Sequence, residues 1–262
     1  LEISPCLLSR SDIAPDTFSP IGRARQKLGG YFRPMGSSCI PHVGEPRRKT
    51  CRRISPSLHL PKLLCRSVKQ TIAELCGVLK AHPDRFYGFG MVPFSLTNEE
   101  TAAWVAENII GNGLKGIGEI SPAGGTVKLL PPIFKAASEY ERLPLWLHTF
   151  HPVTREDIME IAALCGQFPN VPVIFGHMGG VNWLDAIHLA KEHPNIYLDL
   201  SAAFTAVAPR FAMEELPERT LFSSDAPYGD SALSMRMVEH LSPSKEIMER
   251  VLGGNIADLL KF

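Results

Sequence analysis

Five polar side chains end or follow short apolar runs between residues 115 and 227 of the sequence. They are Glu119 in LKGIGEIS, His148 in PLWLHTF, His177 in VPVIFGHMG, Asp199 in IYLDLSA and Asp225 in TLFSSDAP. One such residue is more often a hydrogen-bonded structural group than a ligand. A series of them in successive units is different, because imidazole and carboxylate groups together bind zinc, manganese or iron. The pattern therefore favours metal-assisted chemistry, with Asp199 left out of the site as a structural residue.

The elements that must position these side chains repeat regularly from about residue 71 onward. Short runs of Val, Ile, Leu and Phe alternate with amphipathic stretches of about ten to fifteen residues, a pattern typical of βα units and a parallel sheet. Six strands are predicted after residue 85, and Thr97 or Asn98 is predicted to cap the helix that follows the first of them. The parallel strand ends would bring the polar residues to one edge.

Two architectures accommodate six consecutive βα units: an open doubly wound sheet and a closed eight-stranded barrel. No strand is followed by GxGxxG or GxxxxGK[ST], so the dinucleotide-binding and phosphate-loop interpretations have no support. We therefore predict a (β/α)8 TIM barrel over residues 71–262, with its first one or two βα units uncertain or missing. In such a barrel the βα loops at the C-terminal ends of the strands build the active site.

Residues 1–70 have a different composition from the rest of the chain. They contain 13 Lys+Arg against 4 Asp+Glu, so the other 192 residues carry 14 against 23, and no apolar periodicity is visible. Three interpretations stay open: a basic, loop-rich arm, a segment foreign to the barrel through a frame or joining error, and a nucleic-acid patch at 47–53. The last is disfavoured because aromatic residues do not interleave with the basic run. Poor order is expected in the first two cases.

The overall composition limits the compartment and the partners. The net formal charge is zero, so no nucleic-acid partner is expected. No run approaches 18 apolar residues and no secretion signal is recognisable, so neither membrane insertion nor export is expected. The six cysteines form no CxxC pair, which favours reduced thiols in a cytoplasmic protein. We expect a small-molecule substrate, and a homo-oligomer is compatible with the sequence.

Several of these motifs, taken in order, resemble those of a known family. LPLWLHTF, VPVIFGHMGG, NIYLDLSA, ERTLFSSDAPYGD and the closing GGNIADLL are similar to the amidohydrolase-related family of TIM-barrel metal-dependent hydrolases, over roughly residues 71–262. The resemblance implies an eight-stranded barrel, one or two divalent metal ions and hydrolysis of C–N or C–O bonds. It also implies a decarboxylase branch as an alternative.

The resemblance assigns roles to three residues. His148 resembles the metal-ligand histidine of the fifth barrel strand, and His177 resembles the sixth-strand histidine that binds metal or contacts substrate. Asp225 matches the eighth-strand aspartate that touches the metal and acts as a general base on its water. Zinc is the expected ion, with manganese as an alternative. Structural interpretations also exist: His177 could hydrogen-bond a tight turn, and Asp225 could cap the next helix.

Two features depart from the family pattern. Glu119, in GIGEIS, resembles instead the fourth-strand glutamate that bridges two metal ions in TatD-like nucleases, and we include it as a candidate ligand. The His-x-His motif that should end the first strand is absent from the whole sequence. The missing ligands should weaken metal binding. Four functions therefore remain open: a metal-dependent hydrolase of small amides or lactones, a decarboxylase, a TatD-like deoxyribonuclease, and a non-catalytic barrel.

Overall fold

The computed structural model describes residues 7–9, 60–83 and 85–261. Its core is a sheet of six parallel strands in chain order, curled into half of a TIM barrel. The six strands predicted after residue 85 are thereby confirmed. Of the segment 1–70 predicted as a basic arm, residues 7–9 form a strand and residues 60–70 belong to a helix; the rest of it, with the nucleic-acid patch at 47–53, lies outside the described residues.

The strands are short and evenly spaced along the chain. They are β1 (Leu7–Ser9), β2 (Phe86–Gly90), β3 (Gly116–Ile120), β4 (Leu145–His148), β5 (Val173–Gly176), β6 (Ile196–Asp199) and β7 (Thr220–Leu221). β1 pairs antiparallel with β2, with Leu8 opposite Tyr87, and all the other pairings are parallel. The carboxyl ends of β2 to β7 therefore lie along one edge of the sheet.

Helices precede, connect and follow the parallel strands. They are α1 (Leu60–Ala81), α2 (Asn98–Trp104), α3 (Pro131–Ser138), α4 (Arg155–Gln167), α5 (Trp183–Glu192), α6 (Val207–Glu215), α7 (Ser231–Leu241), α8 (Lys245–Glu249) and α9 (Asn255–Leu260). Wider helical turns extend α2 to Ile110 and join α8 to α9. Helix α1 begins at Leu60, before the point near residue 71 from which the sequence pattern repeats regularly. Among the described residues, no helix is both long and apolar enough to cross a membrane.

Local sequence signals explain where helices α2 and α4 begin. Thr97 caps α2, and its hydroxyl accepts from the backbone N–H of Glu100, as predicted from the sequence. Thr154 caps α4 in the same way: its hydroxyl accepts from the backbone N–H of Asp157, and the Asp157 carboxylate accepts from the backbone N–H of Thr154. Each reciprocal pair satisfies two N–H groups that a helix start would leave without a partner.

Side-chain alternation along the strands divides the core into two layers. Leu145, Leu147, Val173 and Phe175 point toward the helices and belong to the larger apolar cluster. The residues between them point the other way and form a smaller cluster with α9, whose buried members are Phe89, Trp146, Ile174, Leu221, Ile256, Leu259 and Leu260. His148 shares the face of Trp146, so the concave side of the sheet carries both the second cluster and the polar residues.

The closing sequence motif has a structural role. The Asn255 side-chain amide donates to the backbone carbonyls of Pro217 and Thr220, each at 2.7 Å. These bonds tie the start of α9 to the short strand β7, and Asn255 is 2% exposed. The asparagine that resembles the family's terminal motif thus anchors the last helix beneath the sheet.

Candidate metal centre

Glu119 and His148 lie on neighbouring strands and face each other. The His148 Nδ1 atom is 3.0 Å from Glu119 Oε1, and Nε2 is 3.2 Å from the backbone carbonyl oxygen of His151. The Ser121 hydroxyl also donates to Glu119 Oε1, at 2.8 Å. Because both ring nitrogens of His148 face acceptor oxygens, the geometry fits an imidazolium paired with an ionised carboxylate.

The pKa values of this pair shift in the directions that an ion pair requires. Burial acts to raise the pKa of Glu119, but hydrogen bonds from His148 and Ser121 outweigh it and hold that pKa below its ordinary value. Burial likewise acts to lower the pKa of His148, whereas its bonds to Glu119 and the carbonyl of His151 raise it above the ordinary value. Both shifts favour the charged forms of the pair.

His177 follows β5 in a tight turn with unusual backbone angles. The φ angles of His177, Met178, Gly179 and Gly180 are 62°, 50°, 77° and 55°, a left-handed conformation that costs energy in residues other than glycine. Thr149 holds this turn: its hydroxyl donates to the carbonyl of Gly176 at 2.6 Å and accepts from the N–H of Gly179 at 2.8 Å. The turn fixes the direction of the His177 imidazole.

Glycine is required at position 176 by its neighbour on β4. The indole of Trp146 crosses beneath it, and a Cβ atom on residue 176 would lie only 2.2 Å from that ring. The same indole packs edge-on against His177, with ring centroids 5.3 Å apart. Gly176 therefore lets Trp146 form the floor of the site.

Asp199 and Ser201 support His177 from below. The Nδ1 atom of His177 lies 2.8 Å from the Ser201 hydroxyl, and that hydroxyl contacts Asp199 Oδ1. The backbone N–H of Ser201 donates to the same carboxylate oxygen at 2.8 Å, and Trp146 Nε1 donates to the other at 3.1 Å. Asp199 is 3% exposed. Its placement matches the structural role expected from the sequence.

Three of the four candidate ligands converge. One ligand atom from each of Glu119, His148 and His177 lies within 4.8 Å of the others, and the two imidazole centroids are 4.8 Å apart. One carboxylate oxygen and two imidazole nitrogens form a donor set suited to zinc or manganese. The residues present therefore fit a divalent metal, which His148 would bind as a neutral ring after giving up one proton and the hydrogen bond that this proton makes.

Asp225 lies near this cluster but outside the set of three. It is half-buried, follows β7 and has a φ of 56°. Burial and the charges of Glu119 and Asp199 raise its pKa, while His177 and His148 act to lower it, and the net pKa is above the ordinary value. The cap of α7 is Asp230, which accepts from Ala232 and Leu233. Asp225 is therefore not the helix cap that the alternative interpretation assigned to it.

The sequence interpretation missed three residues around His177: Trp146, Ser201 and Phe150. Trp146 and Ser201 each stand two positions from a polar residue already singled out, His148 and Asp199, so alternation along a strand could have placed them on the same face. Phe150 packs edge-on against His177, with centroids 6.2 Å apart, and against the exposed Phe204 at the same distance. No spacing rule could have indicated that contact.

Comparison with known proteins identifies similar chains. The amidohydrolase family model matches residues 60–262, and no curated protein matches. An uncharacterised TIM-barrel protein from Bordetella bronchiseptica is 23% identical, covers 72% of each chain and has a TM-score of 0.62. The 5-carboxyvanillate decarboxylase from Sphingomonas paucimobilis is 18% identical over 77% of this chain and 74% of its own, with a TM-score of 0.62.

A third solved structure contains a metal ion. The dihydroxybenzoic acid decarboxylase from Polaromonas sp. JS666, with bound manganese and the inhibitor 2-nitroresorcinol, is 18% identical. The match covers 77% of this chain and 76% of that one, with a TM-score of 0.60. At these identities the likeness establishes a shared barrel fold.

Proposed function

Because the chain belongs to the amidohydrolase family, we propose that it is a divalent-metal enzyme that hydrolyses small, uncharged amides or lactones. The observation that carries this proposal is the convergence of Glu119, His148 and His177 at the carboxyl ends of three neighbouring strands. Zinc is the expected ion and manganese the alternative, as the donor set allows both.

The three converging residues would hold the metal, and Asp225 would handle a proton beside it. When bound, a divalent ion acts as a Lewis acid and makes water a stronger nucleophile at neutral pH. The Asp225 carboxylate accepts a proton from the attacking water, and its raised pKa brings it closer to the pH at which a general base works best. The chain has no His-x-His motif, so Glu119 provides a carboxylate ligand in the set proposed here.

The charge of the site favours an uncharged substrate. In the described part of the chain, the groups that act on Asp225 are His177, His148 and two carboxylates, and no Arg or Lys is among them. An anionic substrate would depend on the bound ion for its counter-charge, because the imidazolium of His148 is already paired with Glu119. The same argument disfavours the phosphates of DNA and hence the TatD-like alternative.

Decarboxylation of an aromatic acid is the second candidate. Five of the similar solved structures are decarboxylases of aromatic acids by name, among them the two described above. Phe150 and Phe204 meet edge-on beside His177, and such a wall suits an aromatic ring. In this case the metal itself would have to neutralise the substrate carboxylate.

The test measures bound metal and reaction product for the wild-type protein and two variants. His148→Gln removes a proposed ligand, and His188→Gln, at an exposed position of α5, is the control. Each is stripped with a chelator, reloaded with zinc or manganese, and assayed on lactones, amides, carboxylated aromatics and DNA. We expect about one bound ion per chain and hydrolysis in the wild type and the control, with both lost in His148→Gln. Release of CO2 would identify the decarboxylase, cleavage of DNA the nuclease, and absence of metal a non-catalytic barrel.

A further inference from the structure

His177 has a buried hydrogen-bonding partner that the proposed chemistry does not use. Its Nδ1 atom contacts Ser201 at 2.8 Å, and Ser201 in turn contacts Asp199. All three residues are at most 8% exposed, with Ser201 at 2% and Asp199 at 3%. Because these three hydrogen-bonded residues are buried, their polar hydrogens have few alternative partners.

The donors around Asp199 determine the direction of the hydrogen bonds that run from His177 through Ser201 to Asp199. Oδ1 receives the backbone N–H of Ser201 at 2.8 Å and faces the N–H of His177 at 3.4 Å, and Oδ2 receives the indole N–H of Trp146 at 3.1 Å. These N–H groups can only donate, so the carboxylate acts as an acceptor on both oxygens. The hydroxyl proton of Ser201 is then the one that points to Asp199.

The remaining question is which ring nitrogen of His177 carries the proton. A serine hydroxyl has one proton, and once it is donated to Asp199 the Ser201 oxygen can only accept from His177. The neutral ring therefore carries its proton on Nδ1 and its lone pair on Nε2. A metal ligand or proton acceptor needs that lone pair, and a hydrogen bond at the second nitrogen commonly sets which nitrogen is available.

We propose that Ser201, held by Asp199, is a positioning residue that fixes the Nδ1–H tautomer of His177 and leaves Nε2 free for the metal. The inference rests on the proposed function for its purpose, since the free nitrogen serves the metal centre. The tautomer itself is a property of the metal-free protein and can be measured without any activity.

The first experiment observes the tautomer directly. Metal-free protein labelled with 15N-histidine is studied by NMR at about pH 8.5, where imidazole side chains are generally neutral, and His177 is assigned by the loss of its signals in His177→Gln. We expect a protonated Nδ1 and an unprotonated Nε2 in the wild type. Ser201→Ala and the closer-sized Ser201→Cys should both give a mixture of tautomers, because neither provides a good acceptor.

A matched control separates this role from general support of the turn. Thr149→Val removes the hydroxyl that braces the same turn through Gly176 and Gly179 but does not touch the His177 ring. It should leave the tautomer unchanged. Circular dichroism and thermal unfolding verify that each variant is folded. If Ser201→Ala does not fold, the tautomer is measured in Ser201→Cys instead.

The second readout is metal affinity. Loss of a group that orients a metal-bound histidine typically weakens binding about 10- to 100-fold, so calorimetric titration should show that decrease for zinc in Ser201→Ala. A wild-type protein with the proton on Nε2, or a variant with an unchanged tautomer, would overturn the inference. A wild-type protein with the expected tautomer but no zinc binding would instead refute the proposed function.

Discussion

At the scale of single residues, the site combines an ion pair with a separate carboxylate. Glu119 and His148 satisfy each other at 3.0 Å, whereas Asp225 stands apart and experiences charges of both signs. In the proposed function, Glu119 and His148 are metal ligands, whereas Asp225 accepts a proton. These different roles lead to two predictions with different readouts.

Replacing Asp225 with Asn should lower kcat by about 100-fold or more and change KM little, because the carboxylate acts on the water in the transition state. Steady-state kinetics on the hydrolysed substrate measure both constants. Asp258→Asn, on the exposed side of α9, is the control and should keep wild-type values. An unchanged kcat in Asp225→Asn would remove this residue from the proposed role.

The pairing of Glu119 with His148 should make the stability of the metal-free protein depend on pH. The pKa of His148 is raised, so its contribution is complete below its ordinary value of 6.5 and is lost as the pH rises through the folded-state pKa. The pKa of Glu119 is lowered, so its contribution is present above its ordinary value of 4.5 and is lost as the pH falls. The pair therefore stabilises most between these two values.

A double-mutant cycle measures this contribution. Urea unfolding of the wild type, Glu119→Gln, His148→Gln and the double variant should give a coupling free energy on the order of 1 kcal/mol near pH 5.5, after discounting for solvent screening. The coupling should shrink toward zero at strongly alkaline pH. A coupling independent of pH would show that the two groups are not an ion pair.

At the scale of elements, the loops after β3 and β4 are both held by the first turn of α4. Asp157 in α4 is 3% exposed and accepts both from the backbone N–H of Thr154 and, through its other oxygen, from that of Gly125 at 2.9 Å. It therefore ties the loop after β3 to the start of α4. The equivalent residue of α2, Glu100, is exposed.

Replacing Asp157 with Ala should therefore cost more than replacing Glu100 with Ala, although both belong to capping boxes. The first change leaves two N–H groups without a partner in a part-buried position, at a cost of about 2 to 3 kcal/mol, and the second should cost about 1 kcal/mol or less. Chemical unfolding of the two variants checks the difference. Equal losses would show that Asp157 does no more than cap α4.

Two glycines should respond in opposite directions to replacement by Ala. Gly77 lies inside α1, and a Cβ added there would meet no neighbouring atom within 4 Å, so Gly77→Ala should stabilise by about 0.5 to 1 kcal/mol. Gly180 has a φ of 55°, and its Cβ would lie 2.3 Å from the Phe150 ring. Gly180→Ala should thus destabilise by more than about 1 kcal/mol, as measured by thermal unfolding; a gain in stability would contradict the described turn.

At the scale of the whole molecule, the proposed metal ligands come from the carboxyl ends of the three neighbouring strands β3, β4 and β5, so a bound ion would link these strand ends. Binding to the folded state alone stabilises by about 2.7 kcal/mol when free metal is 100 times the Kd. The Tm of the chelator-treated protein should accordingly rise when zinc is added. His148→Gln should abolish the rise and His188→Gln should retain it, whereas an equal rise in both variants would place the bound metal elsewhere.

The sequence by itself determined the order of the elements and the location of their polar ends. Apolar alternation and capping residues are local signals, so they predicted six parallel strands, a cap at Thr97 or Asn98 and the strand-end positions of Glu119, His148 and His177. Only the tertiary structure decided which of those side chains meet. Glu119 and His148 are 29 positions apart and His177 and Ser201 are 24 apart, and such distances depend on strand register and on the curvature of the sheet. The place of Trp146 beneath Gly176, and of Asp225 outside the cluster of three, follows from that same long-range packing, which no local pattern encodes.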